Sequence, residues 1–192
     1  MIRILAITDD PASSAGLQDL LSREPDLVPV GVVRDEHDLW PVLMRTQPDL
    51  VVVDYLSGDS ALVLCHRIKW SIAPPSPRVL IHASRADEQF AVAALMADAD
   101  ALLHKHTSPG DLCDTIRAIA GGAHRLPDIT LATLQDTQTF LGPTDWPIVA
   151  LLLNPTLKRE ATISLRVRQA PLHQRVENIL RRLGSEPLAA AA

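Results

Sequence analysis

Short apolar runs alternate with amphipathic stretches over the first 120 residues. Residues 2–7 (IRILAI) are apolar and β-branched, too short for a helix, and read as a buried strand. LVPVGVV (27–33) reads as a second strand, with Pro29 pointing to a sheet edge. DLVVVD (49–54) is apolar until it ends in Asp54, and PRVLIHA and DALLHK complete the set. Between them lie helical patterns. PASSAGLQDLLSRE carries Leu17, Leu20 and Leu21 at helical spacing, with Pro11 early enough for a first turn. DEHDLWPVLMRTQ contains Pro41, which must kink a helix or lie in its first turn. SALVLCHRIKW and ADEQFAVAALMADA follow, then SPGDLCDTIRAIA with Ser108 as N-cap and Pro109 at the first position. Five strands alternating with five helices predict an α/β fold over 1–120: a five-stranded, parallel, doubly wound sheet with right-handed crossovers.

The pattern then changes. GGAHRLPDITLATLQD (121–136) has turn residues before a short amphipathic stretch, and 121–140 reads as a linker. Val149, Leu152 and Leu153 form one helical face, and LKREATISL suits a second short helix. PLHQRVENILRRL repeats apolar residues at Leu172, Val176, Ile179, Leu180 and Leu183, with Gly184 as a stop. Three helices with a basic face on the last outline a small all-α helix-turn-helix domain over 141–184. The tail 185–192 is expected to be mobile.

Composition narrows the class. Aromatic residues make up only 3%, so the core must be built from Leu, Val, Ile and Ala. No apolar run approaches the roughly 18 residues of a membrane span, and the start reaches acid too soon for a signal peptide. Cys65 and Cys113 sit in apolar patterns without metal-ligand spacing, which suits reduced core residues of a cytoplasmic protein. Residues 158–192 hold seven basic and three acidic groups, whereas the rest of the chain is acidic. A basic end on an acidic body suggests a polyanionic partner for that end.

In a parallel sheet, function collects beyond the carboxyl ends of the strands. Asp9 and Asp10 follow the first strand, Asp54 ends the third and Lys105 ends the fifth. Three carboxylates suit Mg²⁺, a hard cation that prefers oxygen ligands. Asp54 then suits a nucleophile for a phosphoryl group, with Lys105 pairing the added charge. Singly, each has a plainer reading: Asp9 and Asp10 as a helix N-cap pair, Asp54 as a strand-end turn residue, Lys105 as a solvated lysine.

ITDDP (7–11), PDLVVVDYLSGD (48–59) and ALLHKHTSPGDL (101–112) together resemble the receiver domain of bacterial response regulators. The resemblance implies a flavodoxin-like receiver whose Asp54 takes a phosphoryl group from a sensor histidine kinase. It implies Asp9 and Asp10 as metal carboxylates, Asp54 as a third, the Leu56 carbonyl as a further ligand, and Lys105 as the phosphate-pairing lysine. Three positions depart from the family: the switch hydroxyl is Ala83, the strand-five aromatic is Leu102, and the proline after the lysine is His106. Ser84 adjoins Ala83, but a one-residue step on a strand points to the other face. His82 and His104 precede those positions on neighbouring strands, which suggests that they lie side by side, as buried hydrogen-bonded histidines or as a metal or pH-sensing pair.

Residues 141–184 resemble the LuxR-type effector domain of the NarL/FixJ class, carried by LGPTDWPIVALLL and VENILRRLG. The middle is degenerate: Arg166 stands at the turn glycine, Arg168 at the helix-starting serine and Pro171 near the start of the recognition helix. The resemblance implies that His173, Gln174 and Arg175 face DNA, with Lys158, Arg181 and Arg182 as backbone anchors. The expected function is a dimeric, DNA-binding response regulator that controls transcription and is not a turnover enzyme. The alternative is a phosphorylation-independent protein-interaction module whose helical domain no longer reads DNA.

Overall fold

The computed structural model describes residues 1–55, 57–72, 75–154 and 170–185. Its elements are β1 (Ile2–Thr8), α1 (Pro11–Ser22), β2 (Leu27–Val33), α2 (Glu36–Thr46), β3 (Leu50–Asp54), α3 (Gly58–Ser71), β4 (Arg78–Ala83), α4 (Glu88–Met96), β5 (Ala101–His104) and α5 (Pro109–Ala120). Helices α6 (Leu131–Leu141), α7 (Trp146–Leu153) and α8 (Ala170–Ser185) follow. The five strands form one parallel sheet in the order β2-β1-β3-β4-β5. The expected α/β fold is therefore the observed one. The second short helix expected over LKREATISL lies outside the described residues, as do Leu56 and Lys158.

Burial on both faces explains the runs without alternation: every residue of LVVVD in the central β3 is buried. Pro29 sits on β2, at the sheet edge, where a missing N–H costs no ladder bond. The register there jumps from Ile4–Pro29 to Leu5–Gly31, so the β2 backbone is irregular beside the proline. Ser108 caps α5 by accepting from the Asp111 N–H, as its sequence position suggested. Pro41 lies inside α2 rather than in its first turn. There it deprives the helix of one internal bond.

Strand parity divides the core. Ile4, Ala6, Leu50, Val52, Leu80 and Ala101 pack with α1 and α5. Leu5, Ile7, Val51, Val53, Val79 and Ile81 pack on the opposite face with α2, α3 and α4. Cys65 belongs to the second side and Cys113 to the first, and no disulfide joins them.

The last helices share the second side. Helices α6, α7 and α8 all pack against α4, and α8 also packs against α3. Val149, Leu152, Val176, Ile179, Leu180 and Leu183 join the same core as Val53 and Ile81. This explains why α4 is covered almost all round: Gln89, Phe90, Ala91, Val92, Ala93, Ala94 and Met96 are all buried. Gly184 does not end α8, which runs on to Ser185. A Cβ there would stand 2.5 Å from the Asp59 Cα, so the glycine lets α8 meet the start of α3 backbone to backbone.

Candidate functional site

Strand parity also builds the site. Thr8 follows Ile4 and Ala6, Asp54 follows Leu50 and Val52, and His82 follows Leu80, each at a step of two, so these side chains point to the α1/α5 face. Lys105 follows Leu103 in the same way, just past β5. Thr8 and Asp54 are register partners across β1 and β3. The result is a polar cluster at the carboxyl rim, centred on a carboxylate that is 2% exposed.

Each Asp54 oxygen has partners. His82 Nδ1 lies 2.9 Å from Oδ1, and Lys105 Nζ lies 3.2 Å from the same atom. The lysine contact is an ion pair without hydrogen-bond alignment, since Nζ makes no hydrogen bond among the described residues. Thr8 Oγ1 donates to Oδ2 at 3.2 Å. Burial pushes the Asp54 carboxyl up, but the His82 bond and the Lys105 charge outweigh it, and its pKa falls below the ordinary 3.8. Asp54 is therefore ionised at neutral pH. A groove of about 280 Å³ between α1 and α5 leads to it, walled by Leu17, Leu20, Pro109 and Leu112, with Asp54, His82 and Lys105 also lining it.

The paired carboxylates after β1 part company. Asp10 is the N-cap of α1: Oδ1 accepts from the Ala12 N–H at 3.1 Å, and Oδ2 from the Ser13 N–H at 3.1 Å and the Ser13 hydroxyl at 2.9 Å. These bonds hold its pKa below the ordinary value. Asp9 is exposed in the loop, and its charge acts on Tyr55. Burial, then Glu36, Asp9 and Asp35, push the Tyr55 hydroxyl up to about 12. Among the described residues, no three His, Cys, Asp or Glu side chains gather as a metal-holding group. As placed, Asp10 is committed to its helix and Asp54 to His82, Lys105 and Thr8, an arrangement of these two carboxylates that does not suit a divalent cation.

The two strand histidines are not side by side. His82 stands opposite Leu103, and His104 opposite Ala83, so they project from opposite faces of the sheet. His104 instead accepts from the His106 N–H at 3.1 Å, with the rings 4.9 Å apart. Ala83 and Leu102 are buried in the core on the α4 side. Thr8 is the site residue that sequence reasoning missed, and His82, which it set beside His104, instead pairs with Asp54. Counting in twos from Leu80 would have found His82.

The residues expected to face DNA, apart from Lys158, lie on α8. His173 is tucked against α3, its ring edge-on to Trp70 at 4.7 Å and its Nδ1 3.4 Å from His66 Nε2. Arg175 and Arg182 converge on Asp145, each at 2.9 Å. Arg181 lies 3.2 Å from Glu177, and the exposed Gln174 contacts Asn178.

The family model of the response regulator receiver domain matches residues 4–117. The chain is 26% identical over 133 residues to the uncharacterized transcriptional regulatory protein YxjL of Bacillus subtilis, covering 69% of this chain and 61% of that protein. It thus spans about six-tenths of that relative's length. It is 22% identical to the DNA-binding transcriptional activator DevR/DosR of Mycobacterium tuberculosis, over 100% of this chain and 93% of the relative. Among solved structures, RcsB of Salmonella enterica serovar Typhimurium, bound to a promoter in the presence of the phosphomimetic BeF3⁻, shares the fold. Its TM-score is 0.59 at 18% identity, over 97% of this chain and 93% of that one. No helix among the described residues is long and apolar enough to cross a membrane.

Proposed function

The chain belongs to the response regulator receiver family, and we propose that it is a cytoplasmic transcription regulator whose receiver (1–120) controls a DNA-reading segment (141–184) through a linker (121–140). The observation that carries this reading is Asp54: a carboxylate buried at the end of the central strand, ionised, with the Lys105 ammonium 3.2 Å away. Such a group is a nucleophile for phosphorus. A bond forms between an Asp54 oxygen and the phosphorus of a kinase phosphohistidine, the phosphorus–nitrogen bond breaks, and Lys105 pairs with the added charge. The protein performs no turnover beyond gaining and losing this group.

The named relatives, a transcriptional regulator and a transcriptional activator, support a DNA output. The basic residues of α8 are the candidate contacts, and a homodimer would address two half-sites about one helical turn apart. In the described arrangement Arg175 and Arg182 are engaged with Asp145 and His173 with Trp70 of α3, so reading DNA with this set requires those contacts to be released. That requirement gives the receiver something to control.

The same packing favours a second reading, in which α8 is a permanent part of the core and the protein acts by docking onto partners. Two measurements separate the readings. Acetyl phosphate should label the wild-type chain and not Asp54→Asn. Genome-wide recovery of bound DNA should return specific fragments, with binding that falls steeply as salt rises and is lost in Arg175→Ala/Arg182→Ala. Recovery of no fragment would leave the interaction module.

A further inference from the structure

We propose that His82, acting with Lys105, stands where a divalent cation would otherwise act on Asp54, so that this site is organised by side chains and gains a usable cation position only when His82 is removed. The proposal deepens the reading of Asp54 as the acceptor and rests on it for its biological meaning.

An ionised carboxylate only accepts hydrogen bonds, and its two oxygens offer about four lone-pair positions. A carboxylate oxygen only accepts, so the group that donates to Oδ1 in the contact with His82 is Nδ1, at 2.9 Å. Lys105 adds its charge to the same oxygen, and Thr8 takes one position on Oδ2. A cation such as Mg²⁺ needs ligand oxygens at about 2.0–2.1 Å in near-octahedral array. It would have to share Oδ1 with two nitrogen donors, or take the remaining position on Oδ2 alone. Of its expected co-ligands Asp9, Asp10 and the Leu56 carbonyl, Asp10 is held by three donors of the first turn of α1.

His82 is placed for this role by the fold rather than by chance rotation. It follows Leu80 at a step of two, on the face that carries Val52 and Asp54, and β4 is bonded directly to β3. The imidazole is 16% exposed, and its Nε2 is enclosed without a hydrogen-bond partner among the described residues. Its neighbour Ala83, the position of the family's hydroxyl, brings no polar group and belongs to the opposite core. The polar partner that β4 contributes to Asp54 is thus the imidazole.

The test uses the full-length chain and Mn²⁺ as a paramagnetic probe for Mg²⁺, with binding followed by electron paramagnetic resonance. Wild type should bind Mn²⁺ about tenfold or more weakly than His82→Leu, the size of effect that groups behind metal ligands commonly exert. His82→Asn, whose amide keeps a donor near the place of Nδ1, should stay close to wild type. The gain should vanish in His82→Leu/Asp54→Asn. Nitrogen NMR of the wild-type His82 ring, which needs no substitution, should show Nδ1 protonated and unmoved by millimolar Mg²⁺. Equal Mn²⁺ affinity in wild type and His82→Leu, or a metal-induced shift of the wild-type ring, would overturn the proposal. A chain that takes no label from acetyl phosphate would instead sink the acceptor reading, while leaving the Mn²⁺ comparison decisive on its own.

Discussion

Arg67 of α3 grips Glu177 of α8 through two parallel bonds, Nε to Oε1 at 2.7 Å and Nη2 to Oε2 at 2.8 Å. Its remaining arm reaches Glu36 of α2 at 2.7 Å. One guanidinium therefore joins the last helix to two helices of the receiver, in the forked geometry that only arginine offers a carboxylate. The apolar residues Val176, Ile179, Leu180 and Leu183 supply the burial, and this fork fixes the register of α8 along α3.

The fork makes α8 docking sensitive to acid. The Arg67 bond holds the Glu177 carboxyl below its ordinary value of 4.5, against the opposing effect of burial. A group whose folded pKa is depressed contributes stability above its unfolded pKa and loses it as pH falls toward the folded one. Docking should therefore weaken below about pH 4.5, read as rising hydrogen exchange in α8. Glu177→Gln should flatten this component of the pH profile and cost about 1–3 kcal/mol at neutral pH.

Gly184→Ala tests the close approach of α8 to α3. In a free helix alanine would gain about 1 kcal/mol over glycine. Here the new methyl would meet Asp59 Cα at 2.5 Å and Asp59 N at 2.8 Å, and backbone atoms cannot swing aside. The expected outcome is a net loss of about 1–3 kcal/mol in thermal unfolding, with proteolysis of α8 at lower protease. An unchanged or raised melting temperature would show that α8 does not rest on Asp59.

Much of the sheet was legible because fully buried parallel strands write themselves as unbroken apolar runs, as LVVVD does, and because Pro29 marked the edge. Caps such as Ser108 were legible for the same local reason. The site was half legible. Asp54 and Lys105 stand out as charges at the ends of apolar runs. The meaning of Asp10 depends on which donors reach it, and the N–H groups of α1 reach it first. The pairing of His82 with Asp54 depends on strand register, which a single strand does not disclose. Least legible was the partner of α8: spacing at Val176, Ile179, Leu180 and Leu183 declares an apolar face, and α4, apolar almost all round, declares a buried helix. Neither pattern says that one covers the other.

Restoring a hydroxyl at the family's switch position should not restore a contact with Asp54. Ala83 is fully buried with Val79 and Ile81, on the side of the sheet away from Thr8 and His82. Ala83→Ser would place a hydroxyl among apolar neighbours at a cost of about 1–3 kcal/mol unless a backbone carbonyl accepts from it. Phosphoryl uptake and its lifetime, measured with labelled acetyl phosphate, should match wild type. A longer or shorter lifetime in the serine variant would mean that position 83 reaches the acceptor after all.

Asp145 holds two of the basic side chains that a DNA reader would use. It accepts from Arg175 through Oδ1 and from Arg182 through Oδ2, both at 2.9 Å, and Arg182 also lies over the Phe140 ring. Since Arg182 is exposed and Arg175 half-buried, the pairs contribute little to stability, about 1 kcal/mol or less each. They matter more for charge, because an arginine neutralised by Asp145 attracts a phosphate less. Asp145→Asn should free both, raising DNA affinity by roughly 3–10-fold near 0.1 M salt and steepening its fall with added salt. The melting temperature should barely move. If affinity and salt dependence match wild type in a mobility-shift titration, Arg175 and Arg182 are not DNA contacts, and they serve only to hold α8 against Asp145.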